Sequence, residues 1–139
     1  MNHINQDYIE KYIQSILPKN EEYLNKLEEY AKDFHIPIVD REVAQLLKVL
    51  LKITKPKNIL EIGTAIGYSA LIMASSTDRN CKITTIERRL DMVELAKKNI
   101  NNTKYRDKIK ILYGEAEEIL PKLDKGFDFI FLDAAKGHY

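Results

Sequence analysis

The chain is poor in the residues that build special structures. It has one cysteine, Cys81, no tryptophan, four prolines and five glycines among 139 residues. A single cysteine excludes an intrachain disulfide, which suits a reducing cytoplasm, and at the start of a strand-like run Cys81 reads as a small buried hydrophobe. No apolar run approaches the ~18 residues that span a bilayer. The first residues, Met1 to Asp7, carry no apolar core of a signal peptide. Repeats and low-complexity tracts are also absent. The net charge is only +1, so nothing pulls the whole molecule toward nucleic acid or an anionic surface.

What is present is a soluble, single-core composition, 45% hydrophobic and 31% charged. Charge is unevenly placed. Residues 1–35 hold 4 Lys/Arg against 7 Asp/Glu, and residues 36–139 hold 18 against 14. Two domains are expected on that division: a helical extension over 1–35 and an α/β domain over 36–139.

The central stretch runs from Asn58 to Ala70. Ile59 to Ile62 is an apolar run that reads as a buried parallel strand. Gly63 and Gly67 follow, then a helix-period segment from Tyr68. A strand that breaks into a glycine turn and enters a helix lets the backbone approach a nucleotide-like ligand and presents free N–H groups to it. The spacing is not that of the dinucleotide fingerprint, because Ala65 stands where a middle glycine would. Glu61, on the strand itself, suits a cationic ligand such as the ammonium or sulfonium of S-adenosylmethionine. Glu87 ends the next strand-like run, Lys82 to Ile86, at about the 20-residue offset where an acid meets ribose hydroxyls.

Helices are expected over residues 6–17, 20–34 and 41–53. Their inward stripes are Tyr8, Ile9, Tyr12, Ile13, Ile16 and Leu17; then Tyr23, Leu24, Leu27, Tyr30, Ala31 and Phe34; then Val43, Leu46, Leu47, Leu50 and Leu51. Asn20 and Asp40 read as N-caps. Ile36 to Val39 is an extended connector, fixed by Pro37. Further on come a helix over 90–101 with Leu90, Val93, Ala96 and Ile100 inward, a strand Ile109–Tyr113 closed by Gly114, a short helix from Glu115 broken at Pro121, and a strand Phe127 to Leu132 ending at Asp133. Strands alternating with helices predict a parallel sheet with right-handed crossovers. Ligands in such sheets lie beyond the carboxyl ends of the strands, where Gly63 to Ser69, Glu87, Gly114-Glu115-Ala116 and Asp133 all fall. Lys104, Arg106, Lys108 and Lys110 form a basic edge, read as a solvated face in preference to a phosphate contact. His3, His35 and His138 are assigned no role.

The segments Leu60–Ala70, Thr85-Ile86-Glu87, Tyr113–Ala116 and Phe131–Tyr139 together resemble the metal-dependent class I O-methyltransferases, which include the catechol and caffeoyl-CoA enzymes. Within that family the chain is most similar to the bacterial branch that methylates tRNA 5-hydroxyuridine. The resemblance implies a Rossmann-like fold with helices on both faces of the sheet. It implies that Val39 and the Gly63–Ser69 turn, with Gly67, Tyr68 and Ser69 in it, contact the methionine part of S-adenosylmethionine, that Glu87 accepts the ribose hydroxyls, and that Glu115 and Ala116 flank the adenine; Glu61 and Gly114 complete the expected cofactor-binding set. It makes Asp133 a ligand of Mg²⁺ bordering the cofactor and Lys136 the residue that assists deprotonation of the acceptor. It also implies a cytoplasmic homodimer acting on tRNA or a small catechol-like acceptor. Family members continue past this point with three more strands and a second metal-binding Asp-Asn pair. The expectation is therefore an N-terminal portion, inactive alone and bared along its fourth strand, with a non-catalytic fragment that only binds the cofactor as the alternative.

Overall fold

The computed structural model describes residues 7–16, 21–123 and 126–133. Three helices come first: α1 (Asp7–Ile16), α2 (Glu22–Asp33) and α3 (Arg41–Thr54). Then β1 (Asn58–Ile62), α4 (Tyr68–Ser75), β2 (Lys82–Glu87), α5 (Leu90–Asn101), β3 (Ile109–Tyr113), α6 (Ala116–Ile119) with a 3₁₀ turn over Leu120–Lys122, and β4 (Phe129–Leu132) follow. The four strands form one parallel sheet in the order β3-β2-β1-β4. This is the Rossmann-like α/β fold. The strand order reverses between β1 and β4, so the two strands diverge in their onward connections and leave a crevice at their carboxyl ends.

The registers sort the side chains onto two faces. Ile59, Ile83, Ile109 and Phe129 stand on one face, with Glu61, Thr85, Ile111 and Phe131 two residues on. The apolar members of that face pack into the main core with α2, α3 and α4. Helix α4 is buried along Tyr68 to Ala74 because it is enclosed by β2, α2 and α3. A helix that is apolar all round has no face to give to water. Leu24, Leu27 and Ala31 of α2 belong to the same core. On the other face, Leu60 and Ile86 are buried, while Ile130 and Leu132 of β4 stay 57% and 51% exposed.

Several expectations are corrected. The residue at the start of α2 is Glu21, with no side-chain cap bond, and Asn20 lies outside the described residues. Asp40 does occupy the N-cap position of α3, but its side chain makes no cap bond. On α3 the buried residues are Ala44, Leu47 and Leu51, whereas Val43, Leu46 and Leu50 face outward. That helix is apolar around most of its circumference, so the position of α4 chooses the buried side. Tyr8, Tyr12 and Ile16 of α1 are exposed, as are Phe34 and Leu90. Phe34 lies against Tyr30 with ring centroids 4.5 Å apart. The fourth strand starts at Phe129, two residues later than expected, and α6 starts after Glu115.

Candidate functional site

The turn after β1 is built from left-handed backbone. Gly63 has φ 102° and Gly67 φ 93°, and Ala65 between them has φ 47°. Glycine takes such values without strain; alanine does so at a cost, which the hydrogen bond from its N–H to Glu87 offsets. The Gly63 N–H donates to Ile86 O at 2.9 Å, carrying the β1–β2 ladder one step past the strands. The Gly67 N–H donates to Thr64 O at 2.9 Å and closes the turn. A Cβ on Gly67 would lie 3.3 Å from Ile100 Cδ1 and 3.6 Å from Ala96 Cα, so α5 packs directly beneath.

Glu61 is wholly buried under this turn, at 0% exposure. The Ser69 hydroxyl donates to its Oε2, and Thr85 Oγ1 donates to its Oε1 at 2.7 Å. Thr85 Oγ1 is in turn 2.6 Å from Thr64 Oγ1. Burial pushes the Glu61 carboxyl up to about 8, against the lowering effect of the Ser69 and Thr85 hydroxyls and with help from the Glu87 and Asp133 charges. The acid is therefore largely neutral at pH 7 until a cation comes near it, and a cationic ligand draws it into its charged form.

Glu87 ends β2 and is 8% exposed. Its Oε1 accepts the Ala65 N–H at 2.8 Å and its Oε2 the Arg89 N–H at 3.0 Å. The carboxylate joins the first turn to the second, and each oxygen retains a further lone pair for a ligand hydroxyl. Its backbone carbonyl accepts the Gly114 N–H at 2.9 Å, which brings the turn after β3 alongside. Gly114 has φ 145°, and a Cβ there would meet Ile119 Cδ1 at 3.0 Å. Glu115 is exposed at the N-cap of α6, with Ala116 half-buried behind it. Asp133 follows β4, its N–H donating to Ile62 O at 2.8 Å. Burial of its carboxyl pushes it up to about 6.

The carboxyl ends of the four strands thus gather Glu61, residues 63–69, Glu87, residues 114–116 and Asp133. Two expected residues sit there with their side chains committed elsewhere. Tyr68 is buried and its hydroxyl donates to Glu28 Oε2 at 2.5 Å on α2, and Ser69 is occupied by Glu61. Val39 is half-buried against the core, just before α3. Lys136 lies outside the described residues. Asp133 suits a magnesium ion, which commonly takes one or two carboxylates and keeps waters. Among the described residues no group of three or more His, Cys, Asp or Glu gathers to hold a metal.

Three side chains of the site were given no role of their own by the sequence. Thr64 and Thr85 are buried hydroxyls that look like any β-branched residue in a strand or turn. Asn99, inside α5, donates from Nδ2 to Ile66 O at 2.9 Å. The one available sign was a polar side chain adjoining the apolar stripe of that helix. The basic edge belongs to the other end of the sheet. Lys108 Nζ donates to Ala74 O at 2.7 Å and Thr77 O at 3.0 Å, capping the end of α4, and Lys104 lies 5.5 Å from the Tyr105 ring centroid.

Comparison with known proteins agrees with this fold. A family profile described as O-methyltransferase matches residues 14–139. Catechol O-methyltransferase of Niastella koreensis is 37% identical over 99 residues, covering 68% of this chain and 45% of the relative. The crystal structure of a putative caffeoyl-CoA O-methyltransferase from Staphylococcus aureus superposes with a TM-score of 0.86 at 39% identity, covering 94% of this chain and 63% of that one. The O-methyltransferase TomG from Streptomyces achromogenes superposes with a TM-score of 0.83 at 30% identity, covering 93% and 60%. The chain spans about half the length of the curated relatives it matches. Among the described residues no helix is long and apolar enough to cross a membrane. With a matching family profile over nine-tenths of its length and the corresponding fold, the chain belongs to the O-methyltransferase family.

Proposed function

We propose that the protein transfers a methyl group from S-adenosylmethionine to an acceptor hydroxyl, and that residues 36–133 form its cofactor cleft. The observation that carries this reading is the convergence of Glu61, the left-handed turn, Glu87 and Asp133 at the switch point of the sheet. The buried Glu61, whose charged form a nearby cation would favour, is suited to a cationic ligand, and Glu87 has lone pairs free for ribose hydroxyls. The TomG structure is described as a complex with S-adenosylmethionine, which supports the cofactor assignment. When bound, the cofactor supplies a sulfonium methyl: the acceptor oxygen forms the new C–O bond, the S–CH₃ bond breaks, and its electron pair stays on sulfur. The chain's own share is positioning, since an in-line displacement gains most from held geometry.

Asp133 would give one carboxylate oxygen to a divalent cation such as Mg²⁺, which lowers the pKa of a coordinated hydroxyl. Lys136 would take or stabilise the acceptor proton. The acceptor class consistent with such a cation is a hydroxyl beside a second oxygen. Catechols meet that description, as the relatives' names indicate. So does 5-hydroxyuridine, whose hydroxyl adjoins a ring carbonyl and which the sequence resemblance favours. The basic edge, at the opposite end of the sheet, gives no separate support to the tRNA reading. Mass spectrometry of tRNA nucleosides from a strain lacking the gene separates the two. Loss of 5-methoxyuridine with accumulation of 5-hydroxyuridine identifies tRNA. Unchanged nucleosides, with methylation of catechol by the purified protein and magnesium, identify the small acceptor. Failure of both, in a protein that binds no S-adenosylhomocysteine, overturns the assignment.

A further inference from the structure

Helix α5 reaches into the cofactor turn through one side chain. We propose that Asn99 is a positioning residue for S-adenosylmethionine, acting through the peptide planes of residues 64–67; this rests on the O-methyltransferase reading above. The turn contains three such planes. In the first, Thr64 O accepts the Gly67 N–H at 2.9 Å and the Ala65 N–H donates to Glu87 Oε1 at 2.8 Å. In the third, Ile66 O accepts Asn99 Nδ2 at 2.9 Å while the Gly67 N–H is already held by Thr64. Both outer planes are therefore tethered at both their polar groups. The middle plane, Ala65 O and the Ile66 N–H, carries no hydrogen bond among the described residues. It is the plane left to meet a ligand, and its orientation is inherited from the two beside it.

Asn99 is the tether that local geometry does not already supply. The Gly67–Thr64 bond is the closing bond of the turn itself, and Glu87 is fixed by the strand. Without Asn99 the Ile66–Gly67 plane keeps only one bond and the freedom of a glycine on one side, with Gly67 at φ 93°. The Ile66 side chain is fully buried, so the residue stays anchored while its carbonyl loses its partner. The close approach of Gly67 to Ala96 and Ile100 is what brings the adjoining Asn99 within reach.

The test compares Asn99→Ala with the near-isosteric Asn99→Asp, which sets an acceptor against the Ile66 carbonyl, and with Asn101→Ala on the exposed side of the same helix. S-adenosylhomocysteine affinity is read by calorimetry, and exchange of the Gly67 amide by NMR. Asn99→Ala is expected to weaken binding about tenfold, to raise KM for S-adenosylmethionine with kcat little changed, and to speed Gly67 exchange relative to amides in β2. Asn99→Asp is expected to exceed it, and Asn101→Ala to match the wild type. Unchanged affinity and unchanged Gly67 exchange in both Asn99 variants overturn the proposal. Lowered thermal stability alone, with unaltered affinity of the folded protein, does so too. Should the wild type bind no S-adenosylhomocysteine, the methyltransferase reading fails, and unchanged Gly67 exchange would separately sink the positioning role.

Discussion

The two ends of the sheet solve the same problem differently. At the amino end, charged side chains cap backbone groups that regular structure leaves over. Asp128 accepts the N–H groups of Lys57 and Asn58, each at 2.9 Å, and so fastens the approach to β4 onto the start of β1. Lys108 donates to the carbonyls of Ala74, in the last turn of α4, and of Thr77 just beyond it. At the carboxyl end Glu61 and Glu87 lie deeper, Glu61 turned toward hydroxyls and out of contact with water and Glu87 toward turn amides. The first arrangement closes backbone hydrogen bonds next to solvent. The second keeps an acid buried against its preference and a turn in left-handed backbone, both of which cost stability. Cost of that kind concentrates where a ligand is received.

Substitutions that break the comparison should be severe at the carboxyl end. Gly67→Val is expected to be the most damaging. It places a β-branched residue at φ 93° and drives its side chain toward Ile100, and each effect costs on the order of 1–3 kcal/mol. Denaturant unfolding should show a lower midpoint, and the folded remainder should bind S-adenosylhomocysteine poorly. A wild-type midpoint would mean that the turn is not constrained as described.

Glu61→Gln comes next and sharpens the contrast through pH. The folded carboxyl sits at about 8, above its unfolded value, so the folded state binds the proton more tightly. Stability is then greatest below the ordinary glutamate range and declines as pH rises toward about 8, by at most about 1.4 kcal/mol per pH unit. Glutamine reproduces the neutral acid and should flatten that decline. The parallel loss of an ionisable partner should weaken binding of a cationic ligand. A melting profile of Glu61→Gln that keeps the wild-type slope between pH 5 and 8 would count against this.

Lys108→Met tests the amino end and is the smallest effect. Two hydrogen bonds from a half-buried ammonium are lost while its stem is replaced, for about 1 kcal/mol. Cofactor affinity should stay unchanged, because the substitution lies at the far end of the strands. A fall in affinity comparable to that of the carboxyl-end variants would erase the distinction between the two ends.

Much of this was legible in the chain. Three apolar residues around Glu61, in the run Ile59 to Ile62, followed by Gly63 and Gly67, specify a strand, a turn and a helix because few other backbones accommodate them. Glu87 and Asp133 were legible by position, since a polar residue ending an apolar strand has little reason to be there except at a crevice. The buried network was not. Thr64 and Thr85 differ from structural threonines only in what lies opposite them, and opposition is set by register. Asn99 needed the approach of α5 to the turn. The inward face of α3 was illegible for another reason: Val43, Leu46, Leu47, Leu50 and Leu51 make a stripe wider than one contact can bury, so tertiary packing selects among them.

The central claim is that the carboxyl end of the sheet receives S-adenosylmethionine through Glu87. Calorimetric titration of S-adenosylhomocysteine into the wild type and into folded Glu87→Ala tests it most directly. Loss of a charge-assisted hydrogen bond to the ribose is worth on the order of 1.5–3 kcal/mol, so affinity should fall about 10- to 150-fold. Equal affinity in a Glu87→Ala protein of confirmed fold would contradict the account.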